Sequence, residues 1–272
     1  AGDNSGVSVS LSSDGSIVAI GAYRNENESG HVRMYSWNGS SWVQLGQDIE
    51  GESTYDWSGY SVSLNSDGSI VAIGAQNNNV QYTGHVRIYS WNGAVWTQLG
   101  QDINGESAYD ESGVSVSLNS DGNTVAIGAP QNDGNGINSG HVRIYSWNGS
   151  SWIQVGQDID GETAGAKLGN SVSLSNDGNT IAVGAYKGGV TNSSEEGCVR
   201  VYNWNGFSWT QLGLDIIGEN PADESGLPVS LSADGSRVAI GAPGNDEDGG
   251  TGLASRGSGS AYVFKRSGST WS

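Results

Sequence analysis

The sequence predicts an all-β protein: a β-propeller of five four-stranded antiparallel blades, the last of them incomplete. Three observations predict it. One repeat recurs along the chain, each copy holds four short strand signals, and side chains grow from small to bulky across the four strands. Composition agrees, with 44 Gly, 10 Trp and 11 Tyr among 272 residues. Glycine punctuates turns, whereas aromatic and β-branched residues favour strands.

The copies open at Gly6, Gly59, Gly113, Gly169 and Gly226, spaced 53 to 57 residues apart. They delimit blades at residues 4–52, 53–106, 107–162, 163–219 and 220–272 of one domain spanning 1–272. Within a copy, Ser8-Val9-Ser10-Leu11 alternates polar and apolar residues at the period of a strand. Asp14-Gly15 then marks a tight turn, and Val18–Ala22 is a second strand of small and β-branched residues. A loop follows, then His31–Trp37 as a third strand running into Asn38-Gly39, a strong hairpin signal. Trp42 opens the fourth strand. Small Ser, Ala and Gly in strands one and two, against Arg33, Tyr35, Trp37 and Trp42 later, suit a wedge that is narrow inside and wide outside. The Trp pairs, such as Trp37/Trp42, are expected to pack between blades. No stretch holds ten residues of helical periodicity. In the last copy Arg266–Trp271 corresponds to Trp37–Trp42, which leaves an edge at Ala261–Lys265 available to other chains.

A formal charge of −18 argues against nucleic acid, because phosphate contacts need Lys and Arg. It argues equally against an anionic membrane, and no apolar run is long enough to insert in one. The single Cys198 excludes an intrachain disulfide framework.

The order G-x-S-V-S-L, Asp-Gly, V-A-I-G-A-P resembles the FG-GAP repeat of integrin-α-like propellers and microbial surface proteins. Gly128-Ala129-Pro130 and Gly241-Ala242-Pro243 carry its G-A-P element, while its Phe is replaced by Ser5, Ser58, Ser112, Leu168 and Ser225. The resemblance implies an extracellular or cell-surface adhesion and protein-interaction module that is not an enzyme. It implies calcium only where several carboxylates share a loop. The Ser12–Ser16 turn has one, so it is expected to be a turn alone.

Repeat length varies in the loop between strands two and three, from Tyr23–Ser29 in the first copy to Pro243–Ser258 in the last. Variable loops on a rigid scaffold carry recognition. The face bearing these loops and the four-to-one connections is therefore the expected ligand face. Its candidates are Tyr23, Arg24, Trp57, Asn132, Asp133, Tyr186, Lys187, Glu195, Glu196, Asn245 and Asp246. Asp246, Glu247 and Asp248 are the candidates for Ca²⁺, and no other cofactor is expected. The partner is a protein or, alternatively, a glycan, as in a lectin with one pocket per blade. A glycan-acting enzyme using loop carboxylates is the least favoured reading. His31, His85, His141 and Cys198 occupy one repeat position on four blades, too dispersed for one zinc ion. The repeated Arg33, Arg87, Arg143 and Arg200 are expected to pair with scaffold carboxylates.

Overall fold

A computed structural model describes residues 2–188, 196–220, 222–245 and 258–272. It contains five antiparallel sheets in succession, the blades of a propeller-type fold. Blade one orders Ser8–Leu11, Ile17–Ala22, His31–Trp37 and Trp42–Gln44 side by side. Each of the first four blades adds a short strand that the sequence did not announce. In blade one it is Ile49–Glu50, which pairs back with the start of strand three, Val32 opposite Ile49 and His31 opposite Glu50. Blade five has Val229–Leu231, Arg237–Ala242, Ser260–Ser267 and a two-residue fourth strand, Thr270–Trp271. The expectation that this blade is incomplete at its fourth strand is corrected: Trp271 pairs with Arg266 and Thr270 with Ser267, which makes the sheet four-stranded. Among the described residues helical structure is confined to Asn25–Glu28 and a π-turn at Asn78–Tyr82, and no described helix is long and apolar enough to cross a membrane.

The turns follow from their residues. Asp14 Oδ1 accepts hydrogen bonds from the Ser16 N–H (2.9 Å) and from the hydroxyls of Ser12 and Ser16. Those donors, the Ser12 hydroxyl foremost, hold its carboxyl down at about 2. Asn38 Oδ1 likewise accepts the Ser40 and Ser41 N–H groups, each at 2.9 Å, while Gly39 supplies the positive φ the hairpin needs.

The chain divides into two compact units, residues 1–127 with 144–155, and residues 128–143 with 156–272. In both, the core lies between consecutive blades. In the first unit Ala19, Val32, Met34 and Ile49 of blade one meet Leu64, Val71, Ile73 and Trp96 of blade two. A second cluster repeats this between blades two and three, with Val86, Ile88 and Ile103 against Leu118, Val125, Ile127 and Trp152. In the second unit Val199, Val201 and Ile216 of blade four meet Leu231, Val238 and Ile240 of blade five. Each such Ile, Leu or Val contributes about 1.5–3 kcal/mol by leaving water.

Polar clasps fix the stacking. The Leu64 N–H donates to Ser10 Oγ (2.9 Å), and Ser8 Oγ donates to the Gly59 carbonyl (2.7 Å). Trp96 Nε1 donates to the Leu45 carbonyl (2.9 Å), and Gln47 Nε2 to the Trp96 carbonyl (2.9 Å). The same bonds recur as Leu118 to Ser63 and Trp152 to Leu99, then in the second unit as Leu231 to Ser173 and Trp271 to Leu212. The glycine of V-A-I-G-A is required by this contact: a Cβ on Gly74 would lie 2.1 Å from the Gly113 carbonyl oxygen. The packing expectation for tryptophan holds at Trp96, Trp152 and Trp209, which are 3–5% exposed.

The repeated arginines pair as expected. Arg33 meets Asp48 at 2.8 Å and Arg87 meets Glu52 at 3.4 Å. Arg200 bridges Asp215 (2.7 Å) and Glu162 (2.8 Å). Burial opposes ionisation at Asp215, but the Arg200 and Gln211 hydrogen bonds outweigh it, so its pKa is lowered.

Candidate ligand face

The strand two-to-three loop of one blade is stitched to the connection that enters the next. Trp57 N–H donates to the Glu28 carbonyl (3.1 Å) and Ser58 N–H to the Ser29 carbonyl (2.9 Å). Tyr109 and Glu111 do the same with Gln81 (2.8 Å) and Tyr82 (3.1 Å). In the second unit Gly165 and Lys167 bond to Ile137 (2.8 Å) and Asn138 (3.1 Å). Two alternate residues of each of these connections stand at positive φ: Tyr55 and Trp57, Tyr109 and Glu111, Gly165 and Lys167, Ala222 and Glu224.

Left-handed backbone costs an L-residue about 1–2 kcal/mol, and more often marks function when the residue is large. Gly165 shows what the conformation prefers at the first position, and a Cβ there would meet open space. Tyr55 (φ 69°) and Tyr109 (φ 70°) stand at the same place, 59% and 63% exposed. Tyr109 stacks on Tyr82, itself exposed and at positive φ, with ring centroids 5.8 Å apart. One backbone device therefore projects different side chains into solvent from blade to blade.

Three of the sequence candidates come together here. Tyr23 packs edge-on against Trp57 (5.3 Å) and Tyr60 (5.5 Å), and the Arg24 guanidinium lies over the rings of Tyr23 (5.4 Å) and Trp57 (5.9 Å). Trp57 Nε1 donates to Glu28 Oε2 (2.9 Å), and Asn4 Nδ2 donates to the Tyr23 hydroxyl (2.9 Å). In the second unit the Lys187 ammonium lies 5.9 Å from the Tyr186 ring, and Glu196 is half-buried. Asp133 accepts the Asn138 N–H (2.8 Å) and so braces its own loop.

Asn132 and Asn245 are 6% and 2% exposed. Their side chains hold local structure, Asn132 accepting the Gly134 N–H (2.8 Å) and Asn245 donating to Asp223 (3.0 Å) while accepting from Ser260 (2.9 Å). Glu195, Asp246, Glu247 and Asp248 lie outside the described residues.

Sequence reasoning missed Tyr55, Tyr82 and Tyr109. The available signal was the Gly165 that replaces tyrosine at one copy of a repeat position. It also missed a grouping of His31, Asp48 and Glu50, whose ligand-capable atoms lie within 4.8 Å of one another. Asp48 is already engaged there by Arg33 (2.8 Å) and Gln44 (2.6 Å).

Residues 104–145 match the FG-GAP repeat. The chain thus has a propeller-type fold, within which residues 104–145 match that one repeat. Its structure is similar to a hydrazine synthase of Kuenenia stuttgartiensis (TM-score 0.61, 12% identity), covering 96% of this chain and 63% of that one. It is also similar to putative 6-phosphogluconolactonases of Bacteroides uniformis (TM-score 0.56, 10% identity, 98% and 83% of the two chains) and Bacteroides fragilis (TM-score 0.52, 8% identity, 98% and 82%). No curated protein matches the sequence significantly. The expectation that the chain is not an enzyme is corrected by these neighbours: their names are those of enzymes, and the shared architecture gives no ground for excluding catalysis. At such identities the likeness shows the fold alone.

Proposed function

We propose that this chain is a protein-interaction module of an extracellular or cell-surface protein, which grips its partner with the loop-and-connection face. The observation that supports this most is the pair of exposed tyrosines, Tyr55 and Tyr109, held at a backbone position that favours glycine. Exposed aromatics on a rigid frame supply contact area at small entropic cost, and Tyr is enriched among interface anchors. The acidic chain suits a basic partner surface, with Glu28 bonded to Trp57 and Glu111 standing two residues from Tyr109. The Tyr23–Trp57–Tyr60 group with Arg24 provides a second, preorganised anchor.

The test uses a displayed peptide library and a glycan array as probes. Enrichment of basic peptides is expected, with affinity falling at least about tenfold in a Tyr55→Gly/Tyr109→Gly variant, as for loss of a hot spot. Unchanged affinity would refute the assignment of the face. Enrichment of glycans alone would replace the protein partner by a sugar.

A further inference from the structure

Tyr23 opens the strand two-to-three loop of blade one, while Trp57 and Tyr60 lie on the connection into blade two, all within the first unit. The Tyr60 N–H donates to the Trp57 carbonyl (3.1 Å), closing a turn that sets both rings against Tyr23. The planes of Tyr23 and Trp57 meet at 63° with centroids 5.3 Å apart, and Tyr60 packs on Tyr23 at 71°. All three residues are half-buried, which fixes the rings and still leaves them accessible. Two hydrogen bonds brace them: Asn4 Nδ2 to the Tyr23 hydroxyl and Trp57 Nε1 to Glu28 Oε2, both 2.9 Å.

The cation beside these rings shows what they attract. The guanidinium of the exposed Arg24 lies 5.4 Å from the Tyr23 centroid and 5.9 Å from that of Trp57. Both distances fall inside the range of about 6 Å over which a ring quadrupole holds a positive charge. The Glu28 carboxylate is turned to the indole N–H, and among the described residues the guanidinium makes no hydrogen bond or ion pair. Charge against ring faces is therefore what holds it, and its five N–H donors are left to water. A cation without N–H groups has no such donors to keep hydrated and can enter the same angle at a smaller desolvation cost.

We propose that the angle between Tyr23 and Trp57 is a binding site for a small quaternary ammonium cation of the choline type, with Arg24 as the group it displaces. This goes beyond the protein-interaction reading and does not depend on it. The net charge of −18 favours a ligand that is a cation overall rather than a zwitterion. Blade four supplies a comparison inside the same chain. Tyr186 and Lys187 repeat Tyr23 and Arg24, with the Lys187 ammonium 5.9 Å from the Tyr186 ring. Glu224 and Leu227 stand there at the positions of Trp57 and Tyr60, so that copy has one ring and no angle between two.

The test titrates the chain with choline and follows the backbone amides of residues 24, 57 and 60 by NMR, with those of residues 186 and 187 as internal reference. Saturable shifts confined to the first set are expected at millimolar choline, the range that exposed cation–π contacts imply. The neutral isostere, in which a tert-butyl group replaces trimethylammonium, should give none. Ethanolamine, a cation that carries N–H donors, should bind more weakly than choline. Arg24→Ala should tighten choline binding by about fivefold or more, because a resident cation held by two rings no longer competes. Trp57→Gly, which suits the φ of 57°, and Tyr23→Leu should each abolish the shifts. Absence of shifts, equal binding of the isostere, equal shifts at residues 186 and 187, or binding no tighter in Arg24→Ala overturns the proposal. Tighter binding of phosphocholine than of choline overturns the choice of a free cation in favour of a headgroup. The titration uses no peptide, so its failure leaves the interaction reading intact, and failure of the displayed library leaves this site intact.

Discussion

Trp42 and Trp96 occupy the same repeat position in neighbouring blades, so replacing each by alanine isolates what the blade-to-blade contact contributes. Trp96 is 4% exposed, lies in the core between blades one and two, and donates to the Leu45 carbonyl at 2.9 Å. Removing a buried tryptophan costs about 3–5 kcal/mol through lost transfer energy and the remaining cavity. About 1 kcal/mol of that is the indole hydrogen bond. Trp42 is 44% exposed, and its replacement should cost about 1 kcal/mol. Each residue also pairs with a tryptophan of strand three, at 5.6 Å for Trp37–Trp42 and 5.4 Å for Trp91–Trp96, so aromatic pairing cancels in the difference. The expected gap is at least about 2 kcal/mol, read from urea unfolding followed by circular dichroism. Trp96→Phe, which keeps a ring but loses the N–H, should fall between. Equal costs for Trp42→Ala and Trp96→Ala would refute the reasoning, because burial would then not be the variable that matters.

Four further outcomes are expected. His85 is wholly buried, and burial, with Arg87 adding to it, holds its pKa down at about 4 against an unfolded value of 6.5. The unfolded chain therefore takes up a proton that the folded chain refuses, so stability is full above pH 6.5 and declines by about 3 kcal/mol as pH falls toward 4. His85→Gln should flatten that limb of the stability profile, and an unchanged slope would count against the assignment. Cys198 is 2% exposed with a thiol pushed up to about 11 by burial, so a thiol reagent at pH 8 should modify it only on unfolding; fast native labelling would contradict this. Arg200→Met should cost about 2–3 kcal/mol, less than a fully buried pair because Glu162 can reach water, and thermal melts check it. Tyr55→Gly should leave stability unchanged or raise it by up to about 1 kcal/mol while weakening ligand binding, because it relieves left-handed strain. A large loss of stability would show that Tyr55 serves packing rather than presentation.

The fold was legible because the repeat multiplies weak local signals. One Asp-Gly turn is ambiguous, but the same turn five times, each between alternating strands, leaves little choice of architecture. The arginine pairs and the packed tryptophans were legible for the same reason. What escaped was the chemistry that acts between copies. Ser8 and Ser10 read as the polar half of an alternating strand, and only the stacked blades show their hydroxyls on Gly59 and Leu64. Ile49–Glu50 was hidden because two residues carry no periodicity; its strand exists through pairing with His31 and Val32. Tyr55 and Tyr109 looked like ordinary connection residues, since backbone sign is invisible in a sequence until Gly165 is set beside them.

That distinction between local and inter-copy chemistry also explains how one repeat can hold two roles. Positions that touch the next blade keep their identity from copy to copy, because any change must be matched across a tight interface, as the 2.1 Å approach at Gly74 requires. Positions such as 55, 109, 165 and 222 point into solvent and meet no such demand, so Tyr, Tyr, Gly and Ala can stand there on one backbone. The departures at the end of the array, Pro228, Arg237 and Lys265, fall on the opposite side of that division. They alter positions that in the earlier blades meet the next blade, on a face that still carries Val263 at 69% exposure.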